Sequence, residues 1–287
     1  MRSHSELEAF GRTLRVSSLD RVLWPLANFT KRDLLDYLSA IAPTMLPHLK
    51  GRPMTLARFP TGVEGRGWFQ TNCPNGRPDW LRVREVPGKN GQRFQYALLE
   101  EPAAILWAAN QGALEFHPAQ EPGVLVVDLD PGEPAGLVEC CEVALLLRER
   151  CGPGAVVKTS GLAGLHVFVP MPDRAKLAEA GDGFAALKQR ARQIAEELAQ
   201  QHPDRITAKM LRSLRPGKVF IDWGQNDETK SMAAAYSPRA APYPFISTPI
   251  AWAEVEEAAK TRDARGLRFL PREVLARVEK HGDLFRI

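Results

Sequence analysis

Two aspartates, Asp128 and Asp130, stand one residue apart at the end of an apolar run, VLVVDLDPGE, Val124 to Glu133. On an extended chain, side chains at i and i+2 share a face, so the two carboxylates project side by side, about 7 Å apart at the backbone. Such a pair either ends a strand in solvent, with Asp130-Pro131-Gly132 as turn chemistry, or it holds divalent cations. A third aspartate, Asp222, also closes a short apolar run, in KVFIDWGQND. Three carboxylates suit hard ions such as Mg²⁺ or Mn²⁺. A two-metal site stabilises both the attacking and the leaving oxygen of an in-line phosphoryl displacement, which is the chemistry of nucleotide polymerisation.

A second pattern fits the same chemistry. In SGLAGLH, Gly161 and Gly164 let backbone N–H groups come close to an anion, Ser160 offers a hydroxyl, and His166 leaves the turn. Taken alone this is a Gly-containing hairpin with a packed histidine. It is neither a P-loop, since no Gly-Lys-Ser/Thr follows, nor a GxGxxG dinucleotide fingerprint. The four cysteines form no Cys-x-x-Cys pair and the six histidines are scattered, so zinc spacing and a disulfide framework are both excluded. A metal here is held by oxygen.

The elements that must position these groups read as helical periods between short strands. Thr30 is an N-cap with Asp33 at N3, and Leu34, Leu38, Ile41 and Met45 form the apolar stripe, with Pro43 expected to bend or interrupt that helix. Pro102 opens another helix, and ALEFH at 113–117 alternates like a strand. A helix is predicted from about Leu137 to Arg150, then strand, turn and strand through AVVKTSGLAGLHVFVP. A long helix follows, marked by Phe184, Leu187, Ala191, Ile194 and Leu198. The pattern predicts a mixed α/β (α+β) architecture with hairpins rather than regular βαβ alternation.

The 287 residues are 44% hydrophobic and 25% charged, ordinary for a globular protein, and contain no run of 18 apolar residues. The opening MRSHSELEAFGR is polar where a secretory signal carries an apolar core, so a cytoplasmic protein without a membrane partner is expected. Net charge is only +4, but Arg205, Lys209, Arg212, Arg215 and Lys218 fall in one stretch without an acidic residue. A second basic group comprises Arg77, Arg82, Arg84, Lys89 and Arg93. Either is a solvated face or a polyanion contact.

The order of His117 in LEFHP, DLDPGE at 128–133, SGLAGLH at 160–166, SLRPGKVFIDWGQN at 213–226 and YSPR at 236–239 resembles the polymerase domain of bacterial DNA ligase D, in the archaeo-eukaryotic primase superfamily. The likeness runs from TLRVSSLDRVLWP to HGDLF. It implies a primase-like fold of central mixed or antiparallel sheets flanked by helices, a single primase-polymerase domain over 1–287 with an N-terminal module of about 1–110 packed with a catalytic module of about 111–287. It also implies template-dependent addition of NTPs or dNTPs to primer 3′ ends at gaps or broken DNA ends, in non-homologous end joining, with two Mn²⁺ or Mg²⁺ ions. Ku and a DNA ligase are the implied protein partners, and the chain is either a stand-alone enzyme or part of a longer ligase. By position, the resemblance makes Asp128, Asp130 and Asp222 the catalytic metal ligands. It places His117, Ser160, Gly164, His166 and Arg215 at the incoming triphosphate, with Lys218, Gln225, Arg239 and Arg58 in the same pocket. Arg21 and Lys31 match positions that recognise a downstream 5′-phosphate, and Trp68 and Phe69 match an aromatic pair that stacks on template bases.

Two positions depart from that pattern: Ala57 and Ala163 stand where basic residues are common. With the carboxylates intact, activity is expected. The alternatives are a primase that starts chains without a primer, an aspartyl-phosphate phosphatase, and an inactive DNA-end-binding module. The phosphatase conflicts with the Pro131-Gly132-Glu133 continuation.

Overall fold

A computed structural model of the protein describes residues 4–88, 91–179 and 182–287; Lys89, in the second basic group, lies outside the described residues. The chain divides into two compact units. One comprises Met1–Ala119, Ala233–Ile246 and Leu270–Gly282, the other Gln120–Met232, Ser247–Phe269 and Asp283–Ile287. The first unit thus runs past residue 110, because the strand Ala113–Pro118 pairs antiparallel with Pro53–Arg58. It also takes in a later segment: Ala234 donates to the Phe116 carbonyl (2.9 Å), and the Phe116 N–H donates to Ser237 Oγ (3.0 Å). The fold is mixed α/β, as the sequence pattern predicts.

In the first unit, Thr30 caps the helix Lys31–Met45. Its Oγ1 accepts from Asp33 N (3.2 Å), and its own N–H donates to the Asp33 carboxylate (2.7 Å). Leu34, Leu38, Ile41 and Met45 are fully buried. Pro43 does not break this helix. It lies in the last turn, where its missing N–H and ring cost at most a bond or two, and the chain tightens into the short 3₁₀ turn Leu46–His48 just beyond. The helix Pro102–Asn110 begins at its proline, as expected, and buries Ala103 to Ala109. The strand Ala113–Pro118 is buried at every residue, so both of its faces are covered and its alternation does not mark a solvent side.

In the second unit, six strands lie in the order Ile206–Thr207, Val219–Asp222, Val124–Pro131, Leu165–Pro170, Val156–Thr159 and Pro249–Ile250. Every neighbouring pair is antiparallel except the first, which is parallel. The central strand buries Val124 to Val127 and Leu129, which explains its unbroken apolar run. The helices Leu137–Cys151 and Gly183–Gln201 pack on this sheet. The long helix buries Leu187, Ala191, Ala195 and Leu198; Phe184 and Ile194, expected on the stripe, are half-buried, and Ala195 takes the inward position. Among the described residues, no helix is long and apolar enough to cross a membrane.

Candidate active site

Strand register gathers the predicted acidic residues of the second unit. Lys158 lies opposite His166, His166 opposite Asp128, and Asp128 opposite Asp222. Directly opposed residues point to the same face, so four strands contribute one row of side chains: ammonium, imidazole, carboxylate, carboxylate. Asp130, two residues along, shares that face one row away, opposite Phe220. His166 Nε2 is 3.4 Å from Asp128 Oδ1. Asp222 is held by dipoles rather than by a cation: Gly224 N donates to Oδ1 (2.9 Å) and Gln225 Nε2 to Oδ2 (3.0 Å). Gln225 therefore braces a carboxylate. Asn226, buried, continues the ladder with its side chain, accepting from Val126 N (2.8 Å) and donating to Val126 O (2.7 Å).

Burial, and next the charge of Asp222, push the Asp130 carboxyl above its usual range, against a smaller opposing pull from Arg215. Arg215 lies over the Phe220 ring at 3.7 Å and donates to Met210 O (3.1 Å). It is delivered by two interlocked turns: Gly132 N donates to Lys218 O (2.8 Å), and Gly217 N to Gly132 O (2.9 Å). A Cβ at Gly132 would meet the Arg215 carbonyl oxygen at 2.2 Å. Lys218 is not brought to the aspartates; its Nζ donates to the Pro203 carbonyl.

The Gly turn differs in detail from expectation. The Gly164 and Leu162 N–H groups both donate to Ser160 Oγ (3.1 Å each), so the Ser160 hydroxyl braces the turn and the Gly164 N–H is spent inside it. Gly164 is required for another reason: a Cβ there would sit 2.0 Å from the Leu129 carbonyl, on the strand that carries Asp128 and Asp130.

Among the described residues, no three His, Cys, Asp or Glu side chains form a ready-made metal cage. The donors still suit a hard divalent cation. They are carboxylate oxygens, and the repulsion between Asp130 and Asp222 is a cost that a cation removes. Mg²⁺ commonly takes one or two carboxylates and completes its shell with water and substrate phosphates, so a full protein cage is not needed.

In the first unit, His117 and Arg239 converge on a residue that sequence reasoning passed over. Glu115 Oε2 lies 2.7 Å from His117 Nε2 and 3.1 Å from Arg239 Nε, while Oε1 accepts from Ala240 N (2.7 Å). Burial alone would raise the Glu115 carboxyl; the His117 hydrogen bond, the Arg239 charge and the Ala240 N–H outweigh it and bring the value down to about 2. The signal was a glutamate two residues before a histidine inside an apolar strand. Ala57 is buried opposite both Glu115 and Phe69. Phe69 stands edge-on to the His117 ring at 5.2 Å. It is 67% exposed and Trp68 42%, so both present ring surface to solvent.

Arg21, Lys31 and Arg58 line one cavity of about 280 Å³, joined by Arg15, Ser17, Ser18, Asn110 and Gln111, with no carboxylate in its wall. The Thr30 cap puts Lys31 at the first helical position. Its Nζ donates to Ser17 O (2.9 Å), Asn110 O (2.9 Å) and Asn110 Oδ1 (2.7 Å). Arg21 donates to Pro60 O. Arg58 donates to Gln111 O (2.9 Å) and stacks over Trp68 at 5.3 Å, so the structure groups it with the predicted 5′-phosphate residues. Burial, then the Arg21 charge, lower the Lys31 ammonium from 10.5 to about 8.

Comparison with known proteins identifies the family of the chain. The family model for the LigD primase-polymerase domain matches residues 30–285. The multifunctional non-homologous end joining protein LigD of Mycolicibacterium smegmatis is 35% identical over 283 residues, 94% of this chain and 35% of that protein. The bifunctional LigD of Bacillus subtilis is 28% identical over 254 residues, 85% of this chain and 40% of that protein. The chain thus spans about a third of the length of the first of these relatives. The solved polymerase domain of Mycobacterium tuberculosis ligase D in complex with DNA superposes with a TM-score of 0.84 at 33% identity, covering 94% of this chain and 96% of that one.

Proposed function

This chain belongs to the LigD primase-polymerase domain family, DNA-directed polymerases and nucleotidyltransferases of a generally metal-dependent type, and from that premise we propose that it adds single nucleotides, directed by a template, to primer 3′ ends at gaps and broken DNA ends. The carrying observation is the cross-strand row that sets Asp128 opposite Asp222, with Asp130 beside them. These three would hold two Mn²⁺ or Mg²⁺ ions, which when bound ease ionisation of the primer hydroxyl and neutralise charge on the departing pyrophosphate. Around them, Arg215 supplies fixed positive charge next to Asp130, and His166 presents its ring at Asp128. In the first unit, Glu115 orients His117 and Arg239 as triphosphate ligands, a buried counter-charge holding both in place.

The cation-lined cavity is the 5′-phosphate site. Because Lys31 spends its three protons on oxygen acceptors of the protein, it acts on that phosphate mainly through its field, while Arg21 and Arg58 have further N–H groups to give. Exposed Trp68 and Phe69 offer a stacking platform for template bases. Ku and a DNA ligase are the partners that end joining would require, with the protein acting as one primase-polymerase domain at the bacterial nucleoid in the cytoplasm.

The test is single-nucleotide addition to a gapped duplex, comparing a downstream 5′-phosphate with a 5′-hydroxyl, Mn²⁺ with Mg²⁺, and wild type with Asp130→Ala. Templated addition that needs Asp130 and rises with the phosphate is expected. A folded wild type that adds nothing with either ion overturns the reading.

A further inference from the structure

The row of side chains that ends in Asp128 and Asp222 begins with Lys158, which is 0% exposed and has no part in the scheme above. A buried ammonium is costly unless its protons are placed. Lys158 Nζ lies 2.6 Å from His166 Nδ1 and 2.6 Å from Ser247 Oγ, 5.8 Å from the centroid of the Phe168 ring.

The directions of these bonds can be assigned in sequence. Ser247 Oγ donates its one proton to the Thr159 carbonyl (2.9 Å), so it accepts from Lys158. With Lys158 charged, its ammonium has three donors and no lone pair, so His166 Nδ1 accepts from it as well. A neutral imidazole with Nδ1 as acceptor carries its proton on Nε2, and Nε2 is the atom that faces Asp128 Oδ1 at 3.4 Å.

We propose that Lys158, steered by Ser247, is a positioning residue that locks His166 as its Nε2–H tautomer, so that this ring meets the reacting groups as a neutral donor and never as a lone pair. Without the lysine, Nδ1 is free to take the ring proton. Nε2 would then present a lone pair to the Asp128 carboxylate and to any phosphate oxygen, which is repulsive in both cases. The tautomer assignment stands on the hydrogen bonds and a charged Lys158; its effect on catalysis rests on the polymerase reading above.

Two readouts test it. ¹⁵N-histidine NMR of the nucleotide-free protein reports the His166 tautomer, expected as Nε2–H in wild type and as a mixture or Nδ1–H in Lys158→Met. In single-nucleotide addition, Lys158→Met is expected to lower kcat about 10–100-fold, the range seen when the partner of a site histidine is removed. Affinity for gapped DNA should stay unchanged, and Lys158→Gln, which keeps an N–H donor, should recover part of the loss. An Nδ1–H ring in wild type overturns the proposal, as does a folded Lys158→Met with unchanged tautomer and kcat. If Lys158→Met does not fold, Ser247→Ala takes its place, with a shifted His166 resonance and a severalfold lower kcat expected and no change in either counting against the proposal. A wild type that transfers no nucleotide defeats the polymerase reading while leaving the tautomer measurement to decide the lysine's role.

Discussion

Asp128 and Asp222 meet through strand register, whereas Lys31, Arg21 and Arg58 meet through a helix cap, loops and a strand end. Both regions collect like charges, and both use dipoles to hold them, the acidic row at Asp222 and the cavity at all three cations. Asp222 is fixed by the Gly224 N–H and the Gln225 amide; the three cations are fixed chiefly by the carbonyls of Ser17, Asn110, Pro60 and Gln111. A dipole sets the geometry of a charge without cancelling it. Glu115 is the contrast, a carboxylate bound by a guanidinium and an imidazole, whose charge is used to hold neighbours. Uncancelled charge is thus what the acidic row and the basic cavity share, and each suits a ligand of the opposite sign.

The largest expected effect would break that comparison if it failed to appear. Asp222→Asn keeps the shape and removes the charge, and nucleotide addition should fall about 10³-fold or more, several kcal/mol of transition-state stabilisation, with DNA affinity retained in a binding titration. Next comes Gly164→Ala, which must displace the Leu129 carbonyl; a loss of about 1–3 kcal/mol is expected in a denaturant titration, with activity falling alongside because the strand of Asp128 moves.

The basic cavity predicts a pH effect. With Lys31 lowered to about 8 in the fold and near 10.5 when unfolded, the unfolded chain binds the extra proton between those values. Its contribution therefore makes the free protein more stable as pH rises through that window, seen as a rising denaturant midpoint. Preference for a 5′-phosphate over a 5′-hydroxyl should meanwhile decline as pH climbs through about 8, and a flat ratio across that range would remove Lys31 from the phosphate site. The smallest effect concerns Ala163, which is exposed: Ala163→Lys should lower KM for the nucleotide only severalfold, since a solvated cation is worth about 0.2–1 kcal/mol.

How much of this was legible in the chain follows from where chemistry and periodicity coincide. Asp128, Asp130 and Asp222 each close or follow an apolar run, so strand and site were visible together, and the Thr30 cap and the Pro102 start declared themselves by residue type. Glu115 and Lys158 stayed hidden, because a charged residue within a short strand reads as its solvent face when only one face is assumed buried. In this protein helices and neighbouring segments cover the other face too. The internal bracing of the Ser160 turn was hidden for a different reason: glycines show that N–H groups can reach an anion, but not that a nearby hydroxyl has already taken one of them, that of Gly164. The place of Arg58 beside Arg21 and Lys31 was not legible because it depends on loops, which carry no period.

The two interlocked turns at Gly132 and Gly217 bear on how such a chain can vary over time. Each turn accepts and donates backbone hydrogen bonds to the other, and the clearance at Gly132 does not admit even one methyl carbon. An insertion in either turn would unpair its partner and shift Arg215 relative to Asp130. Surface loops elsewhere can lengthen at small entropic cost, but these two turns can change length only together, so DLDPGE and LRPGK each resist gaps, and Gly132 resists substitution as well.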